Sequence, residues 1–123
     1  MSKLLRQSVI ALLGLGLCAS SAYAFPDGAT TPSATAIRDR VAGNVFNVKL
    51  ANGVEWRLEF NTNGYFFVDV STGARVSGEW KSEDGKLCSK IRTPDFTCGE
   101  AKVHENFLYV QRTDGEIIKY IPR

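Results

Sequence analysis

Chemistry needs a nucleophile with a base, or a set of metal ligands, and this sequence is sparing with all of them. His104 is the single histidine of the 123-residue chain. A catalytic triad needs an imidazole beside a nucleophile and an orienting acid. Val103 and Glu105 instead place His104 on a strand close to a turn, where it reads as a surface or edge histidine able to respond to pH. Serines and threonines are plentiful, but no Gly-x-Ser-x-Gly elbow presents one. Glu55 and Glu59 share the polar face of one strand, and Asp69 and Glu79 are candidate cross-strand neighbours. A glycosidase sets two carboxyls about 5–10 Å apart across a cleft. Here Arg57, Arg75 and Lys81 interleave with the acids, so the pattern reads as a salt-bridged solvent face. Asp84-Gly85 and Asp114-Gly115 are turn chemistry rather than calcium loops, and no Gly-rich phosphate loop precedes a helix. No catalytic residue, metal ligand or cofactor is expected.

The beginning of the chain reads as an export signal. Lys3 and Arg6 form a basic n-region, and Val9 to Leu17 form an apolar h-region too short to span a bilayer. Ala22-Tyr23-Ala24 then supplies small residues at the minus-three and minus-one positions of a cleavage site. Residues 1–24 are therefore expected to be a signal peptide, cleaved after Ala24. The mature chain would begin at Phe25, without a membrane span, in the periplasm or outside the cell. An uncleaved anchor is the alternative that the short apolar run opposes. Cys18 raises a lipoprotein alternative, but Leu17 precedes it where a lipoprotein signal wants a small residue.

Cleavage changes the charge argument. The whole chain has 15 basic and 13 acidic residues. Lys3 and Arg6 leave with the signal and no acid does, so the mature chain is neutral. With no basic tract and no charge asymmetry, nucleic acid is a poor partner. Cys88 and Cys98 remain, and two cysteines in an exported chain are expected to pair. Chain entropy assigns such a short loop about 3 kcal/mol, a large share of the roughly 5–15 kcal/mol available to a small domain. The other readings are a free thiol pair or a metal site. A Cys-x9-Cys spacing with no second pair and one histidine does not suit zinc.

The elements that must position these groups follow a simple plan. Residues 25–31 are a flexible lead-in rich in Pro, Gly and Thr. Residues 32–42 are a short helix, capped by Thr31, with Pro32 at its first position and Gly43 ending it. Ala34, Ile37 and Val41, with Ala42 beside them, form its apolar side. From 43 to 123 the period is two, and the fold class is all-β. About eight short strands form an antiparallel meander, closed into a small barrel or left as a strongly coiled sheet. Asn52-Gly53 reads as a type I′ hairpin turn. Val54, Trp56, Leu58 and Phe60 face one way, and Glu55, Arg57 and Glu59 the other. Phe66, Val68 and Val70 share a face, which leaves Tyr65 and Phe67 on the opposite one. That second face is either covered by the helix or a neighbouring element, or exposed to meet a partner. Val76, Gly78 and Trp80 point inward on the next strand. A barrel of this length is expected to fill its interior with side chains and leave little cavity.

Gly78-Glu79-Trp80, followed by Asp84-Gly85-Lys86-Leu87-Cys88, Cys98 and Asp114-Gly115, resembles small secreted lipocalin-like bacterial β-barrel proteins of an uncharacterised family, over roughly residues 43–121. It is similar in part to periplasmic metalloprotease inhibitors with a small barrel and one disulfide, although those have a longer stretch between their cysteines and an N-terminal arm with no match here. The resemblance implies a calycin-like barrel with a binding role, and carries over no catalytic residue. Two functions are in view, with Trp56, Tyr65, Phe67 and Trp80 as candidate contacts. The first is an exported, non-enzymatic protein of the bacterial envelope that docks to another protein and inhibits an envelope hydrolase. The second is a lipocalin-like carrier of a small hydrophobic or amphipathic molecule, with Trp56 and Trp80 near its site. A hydrolase using surface carboxylates is the weakest reading.

Overall fold

The computed structural model describes residues 22–123; the expected n-region, h-region and Cys18 lie outside the described residues. One helix, α1 (Ala34–Val41), precedes eight strands. These are β1 (Val45–Lys49), β2 (Glu55–Phe60), β3 (Tyr65–Val70), β4 (Arg75–Glu83), β5 (Lys86–Lys90), β6 (Thr97–His104), β7 (Phe107–Gln111) and β8 (Ile117–Pro122). Every strand pairs antiparallel with its neighbours in sequence, and β8 returns to β1, so the sheet is a closed barrel. Closure rests on the pairs Phe46↔Pro122 and Asn47↔Ile121, extended by the Arg123 amide donating to the Val45 carbonyl at 3.0 Å. A closed barrel leaves no sheet edge for another chain to extend. The architecture is consistent with a lipocalin-like fold.

The turns correct one sequence reading. Asn52 does not take a positive φ; in this hairpin only Gly53 does, at 90°. The Gly53 amide donates to the Leu50 carbonyl and the Leu50 amide to the Val54 carbonyl. This is a type I turn followed by a left-handed glycine, the three-residue loop with a bulge. The same bond pair recurs at Asn61–Tyr65, Val70–Ala74 and Arg112–Glu116. The turn with two left-handed central residues is Glu105-Asn106, at φ 49° and 69°.

Alternation places Phe46, Val48, Leu58, Phe60, Phe66, Val68, Trp80, Leu108, Val110, Ile118 and Tyr120 in the buried interior. Helix α1 covers one end of the barrel. Its N-cap is Ser33, whose hydroxyl accepts from the Ala36 amide, rather than Thr31. The next free amide, that of Ala34, donates to the Asp84 carboxylate in the β4–β5 turn at 2.8 Å. The Ser82 hydroxyl donates back to the Ala34 carbonyl at 2.7 Å. Ile37 and Val41 are fully buried beneath the helix, which stabilises its seat by about 1.5–3 kcal/mol for each side chain. Ahead of the helix, Thr30 and Val103 exchange backbone hydrogen bonds at 2.9 and 2.8 Å, fastening the N-terminal segment to β6.

The disulfide joins Cys88 of β5 to Cys98 of β6, which are direct cross-strand partners. Lys81 pairs with Cys88 and lies one residue beyond the inward-facing Trp80. The cystine therefore belongs to the outer wall. Beside it the Lys81 and Lys90 ammonium groups flank the Phe96 ring at 4.7 and 4.9 Å, holding the β5–β6 loop against the wall.

Candidate functional site

The interior is not filled. A cavity of about 440 Å³ occupies the barrel between the aromatic layer near the helix and the opposite end. That volume lies within the range of small-molecule pockets, roughly 300–1,000 Å³, and it corrects the expectation of a packed interior. The cause is the distribution of side-chain size. Phe46, Phe60, Phe66, Trp80 and Tyr120 crowd the helix end as a network of ring contacts, Phe60 lying 5.5 Å from Trp80 and 6.0 Å from Tyr120. Further along, the inward positions of β3 to β6 carry Val68, Val70, Val76, Gly78, Ser89, Thr97 and Gly99. These are too small to meet across the barrel. Gly78 and Gly99 also admit no side chain at all. A Cβ on Gly78 would stand 2.3 Å from the Lys90 carbonyl oxygen, and one on Gly99 would stand 2.2 Å from that of Gln111. At both glycines the backbone of a neighbouring strand comes too close to leave room for a side chain.

The mouth lies at the end away from the helix, where the exposed Ile91, Thr97 and Thr113 join the cavity wall. Trp56 and Arg112 form its rim. The Arg112 guanidinium donates to the Glu116 carboxylate at 2.8 Å and to Asp114 at 3.4 Å. The other oxygen of Glu116 accepts from the Ala51 amide at 2.8 Å. Glu116 is the one buried charged residue among the described residues, 5% exposed, and it ties the β7–β8 turn to the β1–β2 turn. A buried carboxylate is tolerable when paired and hydrogen-bonded in this way.

At the floor, Tyr120 borders the cavity beside Phe60 and Phe66. It is 5% exposed, and no described residue exchanges a hydrogen bond with its hydroxyl. Loss of hydration pushes its pKa above the ordinary 10.0, so the group is a neutral phenol at physiological pH.

The candidate contacts separate into three places. Trp56 lines the mouth of the cavity. Trp80 sits beneath the helix outside the cavity wall, its indole N–H donating to the Asn61 carbonyl at 2.9 Å and the Arg38 guanidinium 5.4 Å above its ring. The two tryptophans therefore do not enclose one site. Tyr65 and Phe67 lie on the outer wall, 50% and 44% exposed. Neither the helix nor a neighbouring strand covers them, because the helix packs over the barrel end against β4 and β5. Asp69 and Glu79 are not opposite one another: Asp69 faces Arg75, and Glu79 faces Tyr65. The salt-bridged outer face is present, with Arg57 to Glu59 at 3.0 Å, Arg75 to Asp69 at 3.2 Å and Lys90 to Glu79 at 3.7 Å.

The sequence alone did not single out Arg112, Glu116 or Tyr120. The available signal was the spacing Arg112, Asp114, Glu116 around a hairpin glycine, which lets one cation meet two acids across the turn. The run of small inward residues on four consecutive strands was the signal for the cavity.

The chemistry within reach of the cavity is modest. Ser89 and Thr97 place hydroxyls on its wall, while His104 stands on the outer wall, 6.5 Å from the Tyr109 ring and 3.7 Å from Glu105. Glu83 approaches Cys88 and Cys98 closely enough to suggest a metal cluster, but the cystine sulfurs are bonded to each other and offer no thiolate. No helix among the described residues is long and apolar enough to cross a membrane. No protein-family model matches this chain, and neither does any curated protein or solved structure.

Proposed function

We propose that the protein is an exported carrier that holds a small hydrophobic or amphipathic molecule inside its barrel. The observation that carries this reading is the cavity of about 440 Å³, apolar along Leu58, Val68, Val110 and Ile118 and reached from one end. Protein interiors normally pack to the density of organic crystals. A void of this size, bordered by small inward residues on adjacent strands, is a place for a guest molecule. Rigid aromatic contacts below and a salt-bridged rim above keep it preformed, which lowers the cost of binding. Export follows from the N-terminal signal pattern, and the cystine suits an oxidising compartment.

The test is direct. Full-length mature protein is titrated with the neutral fluorophore N-phenylnaphthylamine, and the freshly purified protein is inspected by native mass spectrometry for a retained small molecule. Saturable one-to-one binding is expected, and Val68→Trp, which fills the cavity, is expected to abolish it. Absence of binding in the parent, or unchanged binding in a folded Val68→Trp protein, refutes the reading.

A second reading rests on Tyr65 and Phe67. Two adjacent outward aromatics, ringed by charged residues, are the composition of a protein contact. On this reading the barrel docks to another envelope protein, such as a hydrolase that it restrains. Tyr65→Ser with Phe67→Ser would abolish co-purification of that partner while leaving cavity binding intact. Co-purification that survives the double substitution removes this face from consideration.

A further inference from the structure

We propose that the guest molecule is uncharged and carries a hydrogen-bonding oxygen at the end that enters first, and that this oxygen meets the hydroxyl of Tyr120. The proposal rests on the cavity being a binding site and identifies the chemistry it would select. Tyr120 contributes to the cavity floor, and among the three rings that line the floor, Phe60, Phe66 and Tyr120, its hydroxyl is the one polar group. It is buried with no partner among the described residues. A buried polar group without a partner is costly, and phenylalanine would fill the same space without that cost. A ligand oxygen at this depth would satisfy the hydroxyl, which as a neutral phenol can donate or accept.

The charge pattern narrows the class. A carboxylate reaching the floor would lose its hydration and gain a single neutral donor in return. Among the described residues the cation on the cavity wall is Arg112, which stands at the mouth and is already held by Glu116 and Asp114. An ammonium group would fare no better, because Glu100, the acid that borders the cavity, turns its half-exposed carboxylate outward to Lys102 at 3.5 Å. An alcohol, ketone, aldehyde or ester on an apolar chain fits; a fatty carboxylate or an amine does not. Tyr120 also borders a smaller pocket of about 230 Å³ near the helix, lined by Arg40, Asn44 and Asn106. Water in that pocket is the competing partner for the hydroxyl.

Decanol, decyl chloride and decanoate serve as probes of one chain length. Each displaces N-phenylnaphthylamine from the parent protein and from Tyr120→Phe, both as mature chains with the disulfide intact. Decanol is expected to lose about three- to tenfold in affinity relative to decyl chloride when Tyr120 becomes Phe, with decyl chloride itself unaffected and decanoate the weakest ligand throughout. An unchanged decanol-to-chloride ratio overturns the proposal and assigns the hydroxyl to water in the smaller pocket, leaving the carrier reading in place. Decanoate binding most tightly overturns it too. Failure of the fluorophore and all three probes to bind removes the carrier reading, and this proposal with it.

Discussion

The guanidinium of Arg112 lies 5.2 Å above the ring of Trp56 at the mouth of the barrel. This contact joins β2 to the β7–β8 turn, and the Glu116 carboxylate fixes it from below at 2.8 Å. It places an aromatic reporter at the entrance to the cavity. The second tryptophan, Trp80, lies outside the cavity wall beneath the helix.

The two tryptophans should therefore report differently. Occupying the cavity is expected to shift the emission of Trp56 and leave that of Trp80 unchanged. Trp56→Phe should abolish the shift in tryptophan emission on binding decanol, which accepts no excitation energy, while Trp80→Phe retains it. A response lost only in Trp80→Phe would place the guest near the helix instead.

Glu116 should matter to stability out of proportion to its position in a turn. Glu116→Ala leaves the Ala51 amide without its acceptor and Arg112 without its closest partner. The expected loss is about 2 kcal/mol by urea denaturation, kept below the value for a wholly buried pair because Arg112 is partly exposed. Glu116→Gln, which keeps an acceptor for Ala51, should lose less. Equal stability of all three proteins would show that the rim does not brace the mouth.

Gly78 and Gly99 should resist even alanine. Each added methyl would meet a backbone carbonyl oxygen of an adjacent strand, and backbone cannot swing aside as a flexible side chain can. Losses above about 2 kcal/mol are expected for Gly78→Ala and for Gly99→Ala. Ser77→Ala, on the outer wall beside Gly78, should stay within about 0.5 kcal/mol. Thermal unfolding monitored by circular dichroism compares the three.

Tyr120 gives the protein a pH dependence at the alkaline end. Its folded pKa lies above the ordinary 10.0. Below pH 10 the phenol is neutral in both states and contributes no slope. Above it the unfolded chain releases a proton that the folded chain keeps, so stability falls as pH rises. The contribution reaches about 1.4 kcal/mol one unit above the unfolded pKa. Tyr120→Phe should be more stable than the parent near neutrality, by about 1 kcal/mol, because a hydroxyl without a partner is gone. Its advantage should stay constant from about pH 8 to about pH 9 and widen from about pH 10 to about pH 11. Parallel stability curves for the two proteins across this range would show the hydroxyl to be solvated.

The strands were written into the sequence because their signal is local. Alternation over five or six residues and a turn residue at each end suffice, as Trp56-Arg57-Leu58-Glu59-Phe60 and the glycines at 53, 85 and 115 show. The pairing of Cys88 with Cys98 was legible because they are the two cysteines left after the expected cleavage of an exported chain. The partition of Tyr65 and Phe67 from Phe66 and Val68 was equally plain, although not which side would stay bare. Closure, the void and the fate of each tryptophan depend instead on where eight strands stand relative to one another. Phe46 meets Pro122 only after the full circuit of the chain. Whether inward side chains touch depends on which of them share a height across the barrel. Period two says that Trp56 and Trp80 both point inward. Register places one at the mouth and the other beneath the helix, and leaves Tyr120 between the two with a hydroxyl that nothing in its own strand could foretell.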